Sequence, residues 1–167
     1  MNDLSFLHQS FDEENSQEKS SGGKFQLPDV YLVEDDKVLG FTIKKFLEKK
    51  IGVKVFYFTS PAECLLELDR KIKQETIVNQ TAFCLITDIS FDAGGSDGLY
   101  LIDLLKEKGH QFVSIVMTGF ASIETAINAT KKGVFHYLTK PFELEVLSDL
   151  VTKAFTKKLG VPESALI

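Results

Sequence analysis

The sequence predicts an α/β domain in which helices cover both faces of a doubly wound, five-stranded parallel sheet. Five short apolar runs alternate along the chain with five segments of helical periodicity. The first of them, Val30-Tyr31-Leu32-Val33, is of the kind that forms a fully buried parallel strand. Right-handed crossovers then restrict the strand order to a few doubly wound arrangements.

Local signals place the elements in chain order. We expect strands at residues 30–33, 53–58, 82–87, 113–117 and 135–138. The first helix should end at Gly52, since glycine readily adopts the left-handed conformation that follows many helices. Its apolar face comprises Val38, Leu39, Ile43, Phe46 and Leu47. The second helix should begin at Ser60, with Pro61 in its first turn and Glu63 three residues after the cap. The other three helices are predicted at residues 98–108, 122–132 and 143–159.

Composition limits the classes of function. The net charge of −5 argues against a nucleic-acid-binding surface, which requires a basic stripe. No run approaches the ~18 apolar residues of a membrane span, and the N-terminus lacks the basic start and apolar block of a signal peptide. Cys64 and Cys84 lie in apolar stretches and are expected to be small buried side chains. We therefore expect a cytoplasmic protein that binds neither nucleic acid nor a membrane.

The chain of 167 residues suits one domain with flanking segments. Residues 1–27 are predicted to be a disordered N-terminal segment, because the stretch 12–24 is too polar to offset the entropy cost of ordering. Residues 28–160 form the folded domain, and residues 161–167 form a C-terminal tail. Nothing after Leu159 is long enough for a DNA-binding or catalytic module, so the output should be carried by a partner, a dimer or a domain outside this chain.

Polar side chains follow four of the predicted strands at the point where each ends. They are Glu34, Asp35 and Asp36 after the first strand, Asp88 after the third, Thr118 after the fourth and Lys140 after the fifth. Each has an ordinary explanation alone; Asp36, for example, can cap the next helix. Because ligands of doubly wound sheets bind at the carboxyl ends of the strands, the coincidence of all four indicates a site.

These residue types suit metal-assisted phosphoryl chemistry. Clustered carboxylates raise each other's pKa unless a cation neutralises them, and Mg²⁺ commonly takes one or two carboxylates together with waters and phosphate oxygens. The carboxylate of Asp88 can attack phosphorus to give an acyl phosphate. The ammonium of Lys140 and the hydroxyl of Thr118 can then bind the phosphoryl oxygens.

Over residues 29–158 the chain closely resembles the receiver domains of two-component response regulators. The resemblance rests on four segments in matching order and spacing: Tyr31-Leu32-Val33-Glu34-Asp35-Asp36, Leu85-Ile86-Thr87-Asp88, Met117-Thr118-Gly119-Phe120 and Tyr137-Leu138-Thr139-Lys140-Pro141-Phe142. It implies the flavodoxin-like strand order 2-1-3-4-5. It also implies a phosphoacceptor switch that catalyses only its own phosphorylation and dephosphorylation, and so is not a classical enzyme.

The resemblance implies how the acidic residues act. Asp88 would accept a phosphoryl group from a histidine kinase or a phosphotransfer protein. Mg²⁺, or Mn²⁺ in its place, would be bound by Asp35, by Asp88 and by the backbone carbonyl of Ser90. Glu34 would reach the metal ion through a water molecule.

The same resemblance implies how the signal leaves the site. Thr118 and Lys140 would hold the phosphoryl oxygens, and Tyr137 would be the aromatic switch residue that turns inward when Thr118 moves. The peptide bond before Pro141 is expected to be cis. The responding surface is residues 122–159, through which a homodimer could also form. The segment 117–142 is most similar to receivers of nitrogen-regulator-type transcription activators.

The loop after Asp88 departs from the family pattern. Phe91-Asp92 stands where family members usually have Met-Pro, and the stretch 93–96 lengthens the loop. Without that proline we expect a more flexible loop beside the metal. Phe120, two residues after Thr118, is expected to shield the acyl phosphate from water and so to prolong the phosphorylated state.

Three other functions share features with this sequence. The stretch 94–98 matches the nucleophile elbow of serine hydrolases, but that motif turns directly from a strand into a helix, and here the strand ends at Thr87. A haloacid-dehalogenase-type phosphatase would need a second aspartate at position 90, which is Ser90. A degenerate receiver, which binds partners without being phosphorylated, stays open because of the altered loop.

Overall fold

The computed structural model describes residues 25–74, 81–90 and 97–166. Strands and helices alternate, and a short 3₁₀ helix follows at Glu163–Leu166. The strands are β1 Val30–Val33, β2 Val55–Phe58, β3 Phe83–Asp88, β4 Phe112–Thr118 and β5 His136–Thr139. The helices are α1 Lys37–Ile51, α2 Pro61–Gln74, α3 Asp97–Glu107, α4 Ile123–Lys131 and α5 Leu144–Lys158. The predictions for residues 1–24 and for the loop 91–96 lie outside the described residues.

The strands form one parallel sheet in the order β2-β1-β3-β4-β5. This confirms the doubly wound α/β fold and the predicted order. β1 and β3 are interior strands of the sheet, and every residue of these two strands is buried. The largest shift from the expected boundaries is in β2, which begins at Val55, although Val53 is also buried.

Alternating side chains divide the core into two layers, one on each face of the sheet. Leu32 of β1 packs with Ile43 of α1 and Phe155 of α5 on one face. Its neighbour Val33 packs on the other face with side chains that include Leu68 of α2 and Leu101 of α3. Cys84 and Cys64 are buried in these two layers respectively, as small apolar side chains with free thiols. Burial raises the pKa of both thiols to about 12, which keeps them protonated.

Asp36 fixes the start of α1 immediately after the site residues of β1. Its side chain accepts hydrogen bonds from the backbone N–H groups of Val38 (3.0 Å) and Leu39 (3.1 Å), so the expected cap is present. The helix ends at Gly52, whose φ of 81° lies in the left-handed region. The chain can therefore turn directly from the site into a helix that packs back on the sheet.

One predicted helix face differs from the structure. Val38 was placed on the buried face of α1, but its side chain is 78% exposed, and the residues that α1 buries are Gly40, Ile43 and Leu47. In α4 the side that carries Ile123 and Ile127 faces outward. Packing also continues beyond residue 160, because Val161 lies in the core and Leu166 packs against it. Among the described residues, no helix is long and apolar enough to cross a membrane.

Candidate functional site

The carboxyl ends of four strands bring the predicted polar residues to one edge of the sheet. Glu34 directly follows β1, and its N–H donates to the carbonyl of Phe58 at the end of β2 (3.0 Å). Asp88 is the last residue of β3, and Thr118 is the last residue of β4. Lys140 directly follows β5, and its N–H donates to the carbonyl of Thr118 (2.8 Å). Parallel pairing therefore holds all four at the same edge.

Glu34, Asp35 and Asp88 form one acidic cluster. Each offers a carboxylate oxygen, and these oxygens lie within 4.8 Å of one another. Glu34 and Asp88 are buried, and Asp35 is partly exposed. The Oε2 atom of Glu34 is buried and has no hydrogen-bond partner among the described residues. Oxygen donors this close, one of them unsatisfied, fit a hard divalent cation such as Mg²⁺.

Lys140 connects two of these carboxylates. Its ammonium donates to Oε1 of Glu34 (2.5 Å) and to Oδ2 of Asp88 (2.6 Å). Both acids are inaccessible or nearly so, whereas the Lys140 side chain is 21% exposed. One lysine therefore neutralises only part of the negative charge that three carboxylates can carry. A bound cation could neutralise the rest.

Burial and pairing shift the pKa of both partners in this contact. Burial raises the pKa of Glu34 to about 7, against the opposing effect of Lys140. Burial alone would lower the pKa of Lys140, but its hydrogen bonds to Asp88 and Glu34 outweigh this and raise it. The lysine is therefore charged at neutral pH, while Glu34 lies near its midpoint unless a second cation stabilises its ionised form.

The backbone around Asp88 is closely packed. The N–H of Ser90 donates to Oδ1 of Asp88 (3.0 Å), so one carboxylate oxygen faces this turn and the other faces Lys140. Gly98, in the first turn of α3, lies against the backbone carbonyl of Asp88. A Cβ atom at position 98 would be 1.9 Å from that carbonyl oxygen. A glycine is therefore required at position 98 by the close approach of α3 to the site.

Thr118 ends β4, which pairs with β3, and Tyr137 lies on β5. In the part of the chain that the structure describes, neither side chain is hydrogen-bonded to Asp88. The hydroxyl of buried Thr118 accepts a hydrogen bond from the N–H of Phe120 (3.1 Å). The phenol of Tyr137 is hydrogen-bonded to the hydroxyl of Thr125 in α4 (2.8 Å). The side chain of Phe120 is 83% exposed. The peptide bond between Lys140 and Pro141, expected to be cis, is cis.

Three residues that contact the site or Tyr137 carry no clear signal in the sequence. Tyr57 of β2 donates its hydroxyl to the backbone carbonyl of Glu34 (2.7 Å). Gly98 lacks the Cβ atom that would clash with the Asp88 carbonyl oxygen, and the hydroxyl of Thr125 is hydrogen-bonded to that of Tyr137. For Gly98, the Asp97-Gly98 pair at the start of α3 was an available signal. For Tyr57 and Thr125 there was none, because nothing in the sequence distinguishes one strand or helix hydroxyl from another. Burial and the neighbouring carboxylates raise the pKa of Tyr57, so its hydroxyl remains a donor.

Comparisons with known proteins agree with this geometry. The family model of the response regulator receiver domain matches residues 30–152. The DNA-binding transcriptional regulator NtrC of Escherichia coli (strain K12) is 28% identical over 127 residues, which cover 76% of this chain and 24% of that protein. The response regulator protein FleR of Pseudomonas aeruginosa is 30% identical over 125 residues, which cover 74% of this chain and 24% of that protein.

A solved structure extends the match to three dimensions. The solution structure of the beryllofluoride-activated NtrC4 receiver domain dimer superposes with a TM-score of 0.61 at 29% identity, covering 77% of this chain and 97% of that one. The chain spans about a quarter of the length of the curated relatives named above. Sheet order, the family match and the acidic edge of the sheet lead to one conclusion: the chain belongs to the response regulator receiver domain family of two-component systems.

Proposed function

We propose that this receiver accepts a phosphoryl group on Asp88 in a Mg²⁺-dependent reaction, and that phosphorylation switches the surface formed by residues 122–159. Receiver domains act as phosphoacceptor switches served by histidine kinases, and they generally bind Mg²⁺ at an acidic pocket. The observation that supports the proposal most directly is the buried Asp88 carboxylate, clustered with Glu34 and Asp35 and bonded to Lys140.

The reaction is a displacement at phosphorus. A carboxylate oxygen of Asp88 attacks the phosphorus of a phosphohistidine on a kinase or phosphotransfer protein; a P–O bond forms, the P–N bond breaks, and its electron pair stays on the imidazole nitrogen. Mg²⁺ held by Asp35, Asp88 and the Ser90 carbonyl, and by Glu34 through a water, would neutralise charge on the phosphoryl oxygens, and Mn²⁺ could replace it. Lys140, which bonds Asp88 before the reaction, can then donate to a phosphoryl oxygen.

The switch begins at Thr118. A phosphoryl group on Asp88 replaces the single negative charge of the carboxylate with about two on the phosphoryl oxygens. The Thr118 hydroxyl, which accepts a hydrogen bond from Phe120 before the reaction, is free to turn and donate to one of these oxygens. That movement would shift the start of the segment that leads into α4. Tyr137, bonded to Thr125, would then exchange that contact for an inward position. Coupling of this kind is typically worth about 1–3 kcal/mol, which is enough for a population shift.

The relatives suggest how the signal is used. NtrC is named a DNA-binding transcriptional regulator, and the NtrC4 receiver forms a dimer when activated. By analogy, this receiver would pair with a second copy through residues 122–159, or pass the signal to an output domain or partner. The net charge of −5 supports a receiver that does not itself contact nucleic acid.

Intact mass measured after incubation with acetyl phosphate and Mg²⁺ tests the proposal. We expect one phosphoryl adduct on the wild type and none on Asp88→Asn, which keeps the shape of the side chain and removes its nucleophilic charge. Asp69→Asn, on the surface of α2, is the matched control and should be labelled like the wild type. EDTA added beforehand should prevent labelling. Absence of an adduct on folded wild-type protein would refute phosphorylation and favour a receiver that only binds partners.

A further inference from the structure

Tyr57 contacts the acidic edge of the sheet from the neighbouring strand. It lies on β2 opposite Leu32 of β1, and its hydroxyl donates to the backbone carbonyl of Glu34 at 2.7 Å. The same hydroxyl lies 3.4 Å from the carbonyl of Asp36, the cap of α1. One phenol therefore spans the short turn that carries all three acidic residues of this segment.

A glycine in α1, Gly40, leaves space for the Tyr57 ring. Gly40 is buried in α1, and a Cβ atom there would lie 2.2 Å from Cζ of Tyr57 and 2.5 Å from its hydroxyl oxygen. Phe41 packs against the edge of the same ring, with centroids 5.3 Å apart. Glycine inside a helix is less favourable than alanine. Its presence at position 40 is explained by the ring that occupies the space of a side chain.

The carbonyl that Tyr57 holds belongs to the peptide unit joining Glu34 to Asp35. Because a peptide unit is planar, rotating this one changes ψ of Glu34 and φ of Asp35 together, and so the angle between their carboxylates. On one side, the N–H of Glu34 is paired with Phe58 of β2. On the other, Asp36 is engaged as the cap of α1. The hydroxyl of Tyr57 fixes the first of the two peptide units that lie between these anchors.

We infer that Tyr57 is a positioning residue for the metal site, and that Gly40 is its structural counterpart. The hydroxyl holds Glu34 and Asp35 at the angle at which both carboxylates face Asp88, although three acids so close together repel one another. The inference rests on the proposed Mg²⁺-dependent function. Residues that orient metal ligands without touching the ion commonly control the affinity for it.

The first test compares wild type, Tyr57→Phe and Tyr100→Phe. The matched control, Tyr100, is exposed on α3. Mn²⁺ binding is followed by electron paramagnetic resonance, and labelling by acetyl phosphate is titrated with Mg²⁺. We expect Tyr57→Phe to bind Mn²⁺ roughly tenfold more weakly, with a matching rise in the Mg²⁺ concentration for half-maximal labelling. The rate at saturating Mg²⁺ should stay near that of the wild type, and Tyr100→Phe should be unchanged.

The outcomes separate the inference from the proposed function. Equal Mn²⁺ affinity in Tyr57→Phe and the wild type overturns the inference and leaves the function standing. A drop in the saturated rate without a change in affinity also overturns it, because general damage to the fold would act in this way. A wild type that binds Mn²⁺ but is not labelled overturns the phosphoacceptor function while the positioning role is still measured. A wild type that binds no divalent ion overturns both.

A second pair of variants tests Gly40 directly. Gly40→Ala should displace the ring and weaken Mn²⁺ binding by a factor similar to that of Tyr57→Phe. In a Tyr57→Val background the ring is gone, so adding Gly40→Ala should weaken binding no further. Effects of the two substitutions that simply add would show that Gly40 and Tyr57 act independently, and would overturn the proposed pairing.

Discussion

Replacing Lys140 by methionine should destabilise the metal-free protein by an amount that grows with pH. The substitution keeps most of the side-chain volume and removes the charge that bonds Glu34 at 2.5 Å and Asp88 at 2.6 Å. Removing one partner from a buried ion pair typically costs about 3–5 kcal/mol, because the remaining charge is left unpaired. Here the cost should be smaller at low pH, since Glu34 can take up a proton.

The direction of the pH dependence follows from the pKa of Glu34. In the wild type it is raised from 4.5 to about 7, so between these values the folded state binds more protons and stability falls as pH rises. Without Lys140 the pKa rises further, and the fall continues above pH 7 at no more than about 1.4 kcal/mol per pH unit. We expect a loss of about 1–2 kcal/mol at pH 6, mainly from the lost hydrogen bonds, and about 3–4 kcal/mol at pH 9.

Urea unfolding in EDTA at pH 6 and pH 9 measures both losses. Lys108→Met is the matched control, because Lys108 pairs with Asp69 at the surface; it should cost less than about 1 kcal/mol at either pH. Adding Mg²⁺ should recover part of the loss in Lys140→Met, since the ion takes over neutralisation of the carboxylates. A loss that is equal at the two pH values, or larger at pH 6, would refute the description of Glu34 and Lys140 as a coupled pair.

Three further predictions concern shielding, the switch and the core. Shielding requires the Phe120 ring, 83% exposed in this structure, to turn over the adduct after phosphorylation. Phe120→Ala should then shorten the lifetime of the phosphoryl adduct, followed by intact mass after removal of acetyl phosphate; equal or faster loss from the wild type would contradict shielding. Thr125→Val should remove the hydrogen bond to Tyr137, worth about 1 kcal/mol, and raise the fraction of inward tyrosine ring seen by NMR; an unchanged fraction would exclude Thr125 as its restraint. Ile86→Ala, at a fully buried site, should cost about 3 kcal/mol by urea unfolding, whereas Val38→Ala should lie within about 0.5 kcal/mol of the wild type; similar costs would contradict the observed face of α1.

The sheet and the edge that carries the site could be predicted because each depends on a local signal. β1 is apolar throughout and β3 is apolar as far as Ile86, and burial of these residues matches that pattern. Parallel strands then bring their carboxyl ends to one edge without any knowledge of side-chain contacts. Glu34 and Lys140, 106 positions apart, could thus be placed near each other. Their direct hydrogen bond could not, because it depends on side-chain conformations at the edge.

The error in the predicted face of α1 has a physical cause. Adjacent helical residues point about 100° apart, so a face centred on Ile43 and Leu47 includes Leu39 and excludes Val38. Gly40 lies on the buried face but has no apolar side chain to reveal it. Its significance depends on Tyr57, which belongs to another strand. Periodicity within one helix cannot show such a pairing.

In the proposed switch, the unequal burial of α4 and α5 narrows the surface that we expect to respond to phosphorylation. α5 buries six residues, including Leu147, Val151 and Phe155, whereas among the described residues α4 buries Ala129 alone. Local stability follows the apolar surface that an element buries, so α4 can be displaced at a lower cost in free energy than α5.

The ends of α4 are held by polar contacts. Its first turn is attached through Thr125 to Tyr137, and Lys132 at its other end pairs with Asp103 of α3 and accepts a hydrogen bond from Lys106 through its carbonyl. Contacts of this kind exchange at low cost, whereas the core contacts of α5 do not. Because the chain leaves the site at Thr118 and enters α4 next, a movement at Thr118 meets the less buried helix first. Within residues 122–159 we therefore expect α4 and β5 to shift position when Asp88 is phosphorylated, while α5 keeps its place on the sheet.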